Sequence, residues 1–245
     1  TWQERQCGEE GDIFEPEFVG LPIQDITFHR DRLILVSGES VDCSKQGDYY
    51  SFFPERSSEV LDTDPFSRTA SSRRVNYLYN AVPFRSQLFL MSDNGQFELR
   101  GDPALTPKTA TLELATQYKA ETLCDPVVMG SELYFASTLD QNVTALFEYY
   151  FQEASVSHVA TNASIHVEGY VPGPARRLVA DSLTNTLFLL QEKEPNRIYI
   201  YKTFWDGTEK RQSSWSYWEF DFPISNMSMF KDRLLLVTQR GGNQV

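Results

Sequence analysis

Histidine and cysteine, the residues most often recruited for metal binding and catalysis, are scarce here: three of each among 245 residues. Cys7, Cys43 and Cys124 are odd in number and far apart, which fits neither a disulfide framework nor a zinc knuckle and points to synthesis in a reducing cytosol. His158 and His166 stand eight apart with no Cys or Glu at ligand spacing, and His29 is distant from both. No metal or catalytic role is expected of the three. Gly-x-Ser-x-Gly, a P-loop and His-Glu-x-x-His are all missing. The expectation is therefore no enzyme, no cofactor and no catalytic, cofactor-binding or metal-binding residue. No window approaches the roughly 18 uninterrupted apolar residues of a membrane span, and residues 1–20 lack the basic start and apolar middle of a signal peptide. Membrane insertion is not expected.

Basic charge is short as well. Lys and Arg number 22 against 34 Asp and Glu, for a net charge of −12 and a pI near 4.7. A sequence-reading nucleic-acid binder needs a basic face to neutralise phosphates, so that class is disfavoured, whereas a surface over which DNA slides without sticking is not. Long polar stretches are few. With 41% hydrophobic and 13% aromatic residues the chain can bury a sizeable core. Its first residue is Thr rather than Met, and its last repeat stops after Gly241-Gly242-Asn243, which points to a fragment or a processed product.

What the chain has in abundance is one recurring hairpin. Ile23, Ile26 and Phe28 lead to the charged turn Arg30-Asp31-Arg32, then to the apolar run Leu33 to Val36. Four more copies follow, marked by Leu88, Leu133, Leu187 and Leu234, at spacings of about 55, 45, 54 and 47 residues counted from Leu33. That period predicts an all-β propeller of about five visible repeats with four-stranded blades, the last incomplete, occupying residues 1–245 as one domain. In the first repeat the third strand is expected over 41–44 and an aromatic strand over Tyr49-Tyr-Ser-Phe-Phe53, closed by Pro54. Residues 1–20 form an acidic, solvated lead-in, and residues 55–76 a polar insertion from the blade rim. The opening hairpins supply the hydrophobic inner strands, burying Leu35, Leu88, Leu90, Leu133, Phe135, Leu187, Leu189, Leu234 and Leu236. In the strand from Trp215 to Phe222 the face of Ser216, Trp218, Phe220 and Phe222 is expected to be the buried one. A strand around Trp2 to Arg5, or further sequence, would complete the last blade.

Candidates for chemistry reduce to ordinary structure on the same reading. Asp62-Thr-Asp64 starts like a calcium loop, but Pro65 stands where further ligands and a Gly are needed, so a turn held by Asp side chains is expected. Asn142-Val-Thr, Asn162-Ala-Ser and Asn226-Met-Ser fit the N-glycosylation pattern, which acts only in secreted eukaryotic proteins. Arg73-Arg74 and Arg176-Arg177 are too short for nucleic-acid patches and suit salt bridges on a rim. Tyr49, Tyr149 and Trp215 suit packing between blades better than stacking on sugars.

Several of these pieces, taken in order, resemble a known family. Gly47-Asp-Tyr-Tyr-Ser-Phe-Phe-Pro54, Asp62-Thr-Asp-Pro65, Ser71-Ser-Arg-Arg-Val-Asn76, Ala81-Val-Pro-Phe84, Ser92-Asp-Asn-Gly-Gln-Phe97 and Ala104-Leu-Thr-Pro-Lys-Thr-Ala110 resemble tail tubular protein B, the tail nozzle of short-tailed bacteriophages. So do Arg30-Asp-Arg-Leu33 and Leu35-Val-Ser-Gly-Glu39. The match is dense over roughly residues 18–140. The resemblance implies a structural virion protein, assembled in the host cytoplasm, with a propeller. It also implies a ring of six copies, adaptor or gatekeeper proteins and tail fibres as partners, and duplex DNA only as passing cargo during genome ejection. The alternative reading is a carbohydrate-binding or carbohydrate-degrading propeller acting on envelope polysaccharide, since 34 acids offer many facing carboxylate pairs.

Overall fold

The computed structural model describes residues 15–244 apart from 55, 57, 58, 72–74, 141, 142, 153–156, 208, 241 and 242. The chain packs as two compact units, Thr1–Ala115 and Thr116–Val245. In unit 1, β1 (Ile23–His29), β2 (Arg32–Ser37), β3 (Ser40–Cys43) and β4 (Phe66–Thr69) form sheet 1. Sheet 2 follows as β5 (Leu78–Phe84), β6 (Gln87–Ser92), β7 (Gln96–Arg100) and β8 (Thr111–Thr116). In unit 2, sheet 3 is β9 (Val127–Met129), β10 (Glu132–Asp140), β11 (Val143–Gln152) and β12 (Ser157–Asn162). Sheet 4 is β13 (Ala175–Asp181), β14 (Thr186–Gln191), β15 (Arg197–Asp206) and β16 (Glu209–Glu219), and sheet 5 is β17 (Ile224–Phe230), β18 (Arg233–Arg240) and β19 (Asn243–Gln244). Every sheet is an antiparallel meander in chain order, the pattern of a propeller blade, and the five sheets carry the five repeats read from the sequence.

Turn chemistry sets each opening hairpin. Sheets 1, 2, 3 and 5 close their first hairpin with two residues, the first at positive φ: Arg30 at 48°, Arg85 at 56°, Gly130 at 65° and Lys231 at 56°. Positive φ matches the twist of two-residue hairpins, and only Gly130 adopts it without a steric cost. Sheet 4 uses a longer turn, in which the Asp181 carboxylate accepts the Leu183 N–H at 3.0 Å and the Thr184 hydroxyl at 2.6 Å.

The hairpin register then sorts side chains into two faces. In sheet 1, Ile26 pairs with Leu35 and Phe28 with Leu33, so these four share one face, here called leading. Ile34 and Val36 point to the other, trailing face. The trailing Ile34 and Val36 join the leading Leu88 and Leu90 of sheet 2 in one core. Trailing Tyr134 and Ala136 of sheet 3 meet leading Leu178, Leu187 and Leu189 of sheet 4. Trailing Phe188 and Leu190 of sheet 4 meet Met227, Leu234 and Leu236 of sheet 5. One packing rule, trailing face on the next leading face, thus operates three times.

Several expectations need correction. The fourth strand of sheet 1 is Phe66–Thr69, drawn from within residues 55–76, while Tyr49 to Phe53 form an irregular turn. In sheets 1 to 4 the most buried strands are the second and third rather than the opening pair, because a central strand has neighbours on both edges as well as on its faces. Leu35, Leu88, Leu90, Leu133, Phe135, Leu187 and Leu189 are buried as expected. Leu234 and Leu236 are only half-buried, at the margin of the core that sheet 5 shares with sheet 4. The strand from Trp215 is not buried on its even face: β16 is an edge strand, Trp218 is 49% exposed, and Trp215 joins the core of sheets 3 and 4. The expected strand around Trp2 to Arg5 lies outside the described residues.

Candidate functional site

The segments that carry the family resemblance lie in unit 1, where three arginines hold main-chain carbonyls within and beside them. Arg32 opens β2 on the same face as Ile34 and Val36, which carries its guanidinium inward until the residue is fully buried. Its Nη1 donates to the carbonyls of Ser44 at 2.7 Å and Asp64 at 2.8 Å, and its Nη2 to that of Asp62 at 2.8 Å. A buried cation is tolerable only when so partnered. Burial lowers the Arg32 pKa, while Asp64 and Asp31 nearby favour its charged form. The turn itself is fixed by Asp64, whose Oδ2 accepts the Leu61 N–H at 2.8 Å. This is the Asp-held turn expected for Asp62-Thr-Asp64.

Arg68 completes the arrangement. Its guanidinium donates to the carbonyl of Ala110 at 2.8 Å and to that of Pro107, within the Ala104 to Ala110 segment. That loop is pre-shaped by the Thr106 and Thr109 hydroxyls, 2.9 Å apart. Arg32 and Arg68 both lie over the Phe66 ring, at 5.1 and 5.2 Å from its centroid. Arg30 reaches from the β1–β2 turn to the carbonyls of Gly101 and Ser86, each at 2.9 Å. Gly101 has no room for a side chain, because a Cβ there would stand 2.5 Å from the Leu105 Cα. In the same turn the Asp31 carbonyl accepts the Gly47 N–H and its carboxylate the Tyr49 hydroxyl at 2.8 Å, with Tyr49 edge-on to Phe28. Lys108 and Asp62 pair across the surface at 3.4 Å.

A second anchor fixes the lead-in. The buried Asp42 carboxylate accepts the Glu17 N–H at 3.0 Å and the Ser67 hydroxyl, and Phe18 packs edge-on against Phe52. Burial raises the Asp42 pKa, and the two hydrogen bonds work against that rise. In unit 2 a partly buried ion pair joins sheets 3 and 4: Lys210 of β16 pairs with Glu148 of β11, its ammonium 5.3 Å from the Trp205 ring centroid. Beside it the Tyr201 and Ser213 hydroxyls are 2.9 Å apart.

The candidates singled out by sequence are dispersed. His29 is half-buried on β1, its pKa lowered to about 4 by burial and then by Arg30. His158 stacks on Tyr149 at 5.2 Å, and His166 is exposed in the short 3-10 turn. Tyr149 is fully buried against Phe135 and His158 of its own sheet, while Trp215 is half-buried against the core between sheets 3 and 4, the packing between blades expected of it. Arg177 pairs with Asp125 at 2.5 Å, the expected rim salt bridge. Cys7, Arg73, Arg74 and Asn142 lie outside the described residues. Cys43 and Cys124 are buried, and burial pushes the Cys43 thiol up to about 12, so neither thiol is poised to react. Among the described residues no group of three or more His, Cys, Asp and Glu side chains is placed to hold a metal ion. No helix among them is long and apolar enough to cross a membrane.

The clamp arginines escaped the sequence reading, which took Arg30-Asp31-Arg32 only as a charged turn. The signal was present: strand alternation puts Arg32 on the face of Ile34 and Val36. What the geometry builds is a scaffold of side chains held on main-chain carbonyls, in which Arg32 Nε, Asp42 Oδ2 and Asp64 Oδ1 stay buried without a hydrogen-bond partner.

The comparisons with known proteins agree with that character. The family model described as bacteriophage nozzle protein matches residues 1–245. Tail tubular protein gp12 of Escherichia phage T7 is 33% identical over 220 residues, covering 89% of this chain, and this chain spans only 28% of that relative's length. A putative 6-phosphogluconolactonase from Bacteroides fragilis shares the fold at a TM-score of 0.50 and 12% identity, over 82% of this chain and 56% of that one. With a family model that spans every residue and a phage tail relative at that identity, the chain belongs to the bacteriophage nozzle protein family and is a component of the virion tail.

Proposed function

We propose that this chain is the propeller part of a tail nozzle subunit, that six copies surround or buttress a conduit, and that the genome passes outward through it during ejection. Adaptor or gatekeeper proteins and tail fibres are the neighbours this role implies, and the role is structural rather than enzymatic. The observation that carries the reading is the nozzle family match over the whole chain. Two features support it. The net charge of −12 suits a wall past which phosphates move without being held. Arg30, Arg32 and Arg68 are committed to carbonyls of their own unit, so they serve the scaffold rather than a phosphate backbone. Electron microscopy of the full-length protein, alone and with its tail partners, is the direct test. Six-fold rings are expected, and a monomer that joins no ring under any assembly condition would sink the proposal.

A further inference from the structure

Sheet 5 repeats the trailing face of sheet 1, and among the described residues of its own unit no sheet packs upon that face. Leu235 and Val237 stand where Ile34 and Val36 stand, and Ser228 and Phe230 where Thr27 and His29 stand. Under Leu88 and Leu90 of the next sheet, Ile34 and Val36 are completely buried; Leu235 is 49% and Val237 37% exposed, with Phe230 at 59%. The accessory groups recur too. At the bulge of β1, Asp25 accepts the N–H of Ile26 at 2.8 Å and that of Ala81, in the next sheet, at 2.7 Å. At the matching bulge of β17, Asn226 accepts the N–H of Met227 at 2.8 Å, and Asn226 is exposed. In the turn of sheet 1, Arg30 donates to the Ser86 carbonyl in the turn of the next sheet. Lys231 holds that position in sheet 5, exposed, with its ammonium 5.6 Å from the Phe230 ring centroid.

We propose that the trailing face of sheet 5 docks a further sheet of this same repeat, supplied by the part of the nozzle polypeptide outside these 245 residues. The occupant presents two aliphatic side chains at the positions of Leu33 and Leu35 and a turn carbonyl to Lys231. Continuity with the three existing interfaces fixes its chemistry, because each of them seats such a leading face on such a trailing face. Its source follows from length: this chain spans 28% of the T7 relative and 56% of the lactonase that shares its fold. An exposed apolar face of this kind is otherwise an aggregation hazard. The inference rests on membership of the family and not on ring assembly.

The test is thiol protection in the full-length nozzle protein carrying Cys7→Ser with either Leu235→Cys or Val237→Cys, against the same variants of the 245-residue chain. Leu183→Cys, 85% exposed, reports general accessibility. A small maleimide should label positions 235 and 237 at least about tenfold more slowly in the full-length monomer than in the 245-residue chain, with position 183 labelled alike in both. Equal labelling at 235 and 237 in the two proteins overturns the proposal. Protection that arises only in assembled oligomers assigns the face to a second copy and overturns it equally. Rings can fail to form while monomer protection persists, so this inference and the proposed function fall separately.

Discussion

Arg32 shows how one side chain can organise a loop far larger than itself. Its planar fork spans carbonyls of Ser44, Asp62 and Asp64, so that the connection between β3 and β4 closes around a single cation. A lysine keeps the charge but not the fork. We expect Arg32→Lys to cost on the order of 3 kcal/mol in urea unfolding, and to admit protease within residues 45–64 before global unfolding. Unchanged stability and unchanged cleavage would show the clamp to be incidental. His29 gives a second test at this scale, through pH. In the folded chain its pKa falls from an ordinary 6.5 to about 4, because burial and Arg30 disfavour the imidazolium. The unfolded chain therefore binds the proton more tightly, and the stability His29 contributes is complete above 6.5 and declines as pH falls from 6.5 toward about 4. His29→Gln should flatten that part of the acid limb, measured as urea midpoint against pH. A limb of unchanged slope between those values would exclude His29 as its source.

Among the elements, burial grades the cost of losing equivalent leucines. Leu90, on the leading face of sheet 2, is fully buried, whereas Leu236 occupies the same place in sheet 5 and is half-buried. Leu90→Ala should cost roughly 2–5 kcal/mol and Leu236→Ala clearly less, because its site already borders solvent. Equal losses in chemical denaturation would contradict the difference in packing. The same comparison explains what could be read from sequence. Marker leucines and their turns located all five sheets, since strand alternation and turn residues are local signals. The fourth strand of sheet 1 was missed because Phe66-Ser-Arg-Thr69 alternates too briefly and sits in a polar stretch; it is a strand through pairing with β3 and the hold of Arg68 on its neighbouring loop. The faces of β16 were misjudged because an edge strand between two aromatic sets leaves no single buried face for alternation to report. The carbonyl clamps were out of reach of motif reading, as their acceptors are main-chain atoms that any residue supplies.

For the whole molecule the telling quantity is where charge sits, since a net charge of −12 alone suits solubility as well as a conduit. Each Lys or Arg that neutralises a phosphate releases a counterion and adds a salt-dependent attraction, which would slow a duplex moving past it; carboxylates at the same place repel the backbone over a screening length of roughly 8 Å at physiological salt. If the propeller faces the conduit, the surface toward the axis should carry more Asp and Glu than Lys and Arg. The isolated chain should then show no measurable duplex binding at physiological salt. Fluorescence anisotropy with a short labelled duplex, repeated across ionic strengths, reads this directly. Binding that is tight and weakens steeply with added salt would mean that a basic face holds DNA, and the frictionless-wall account would fail. A ring with the propeller wholly at its periphery would separate the charge from DNA passage, leaving support of the tube or docking of fibres as the task of this unit.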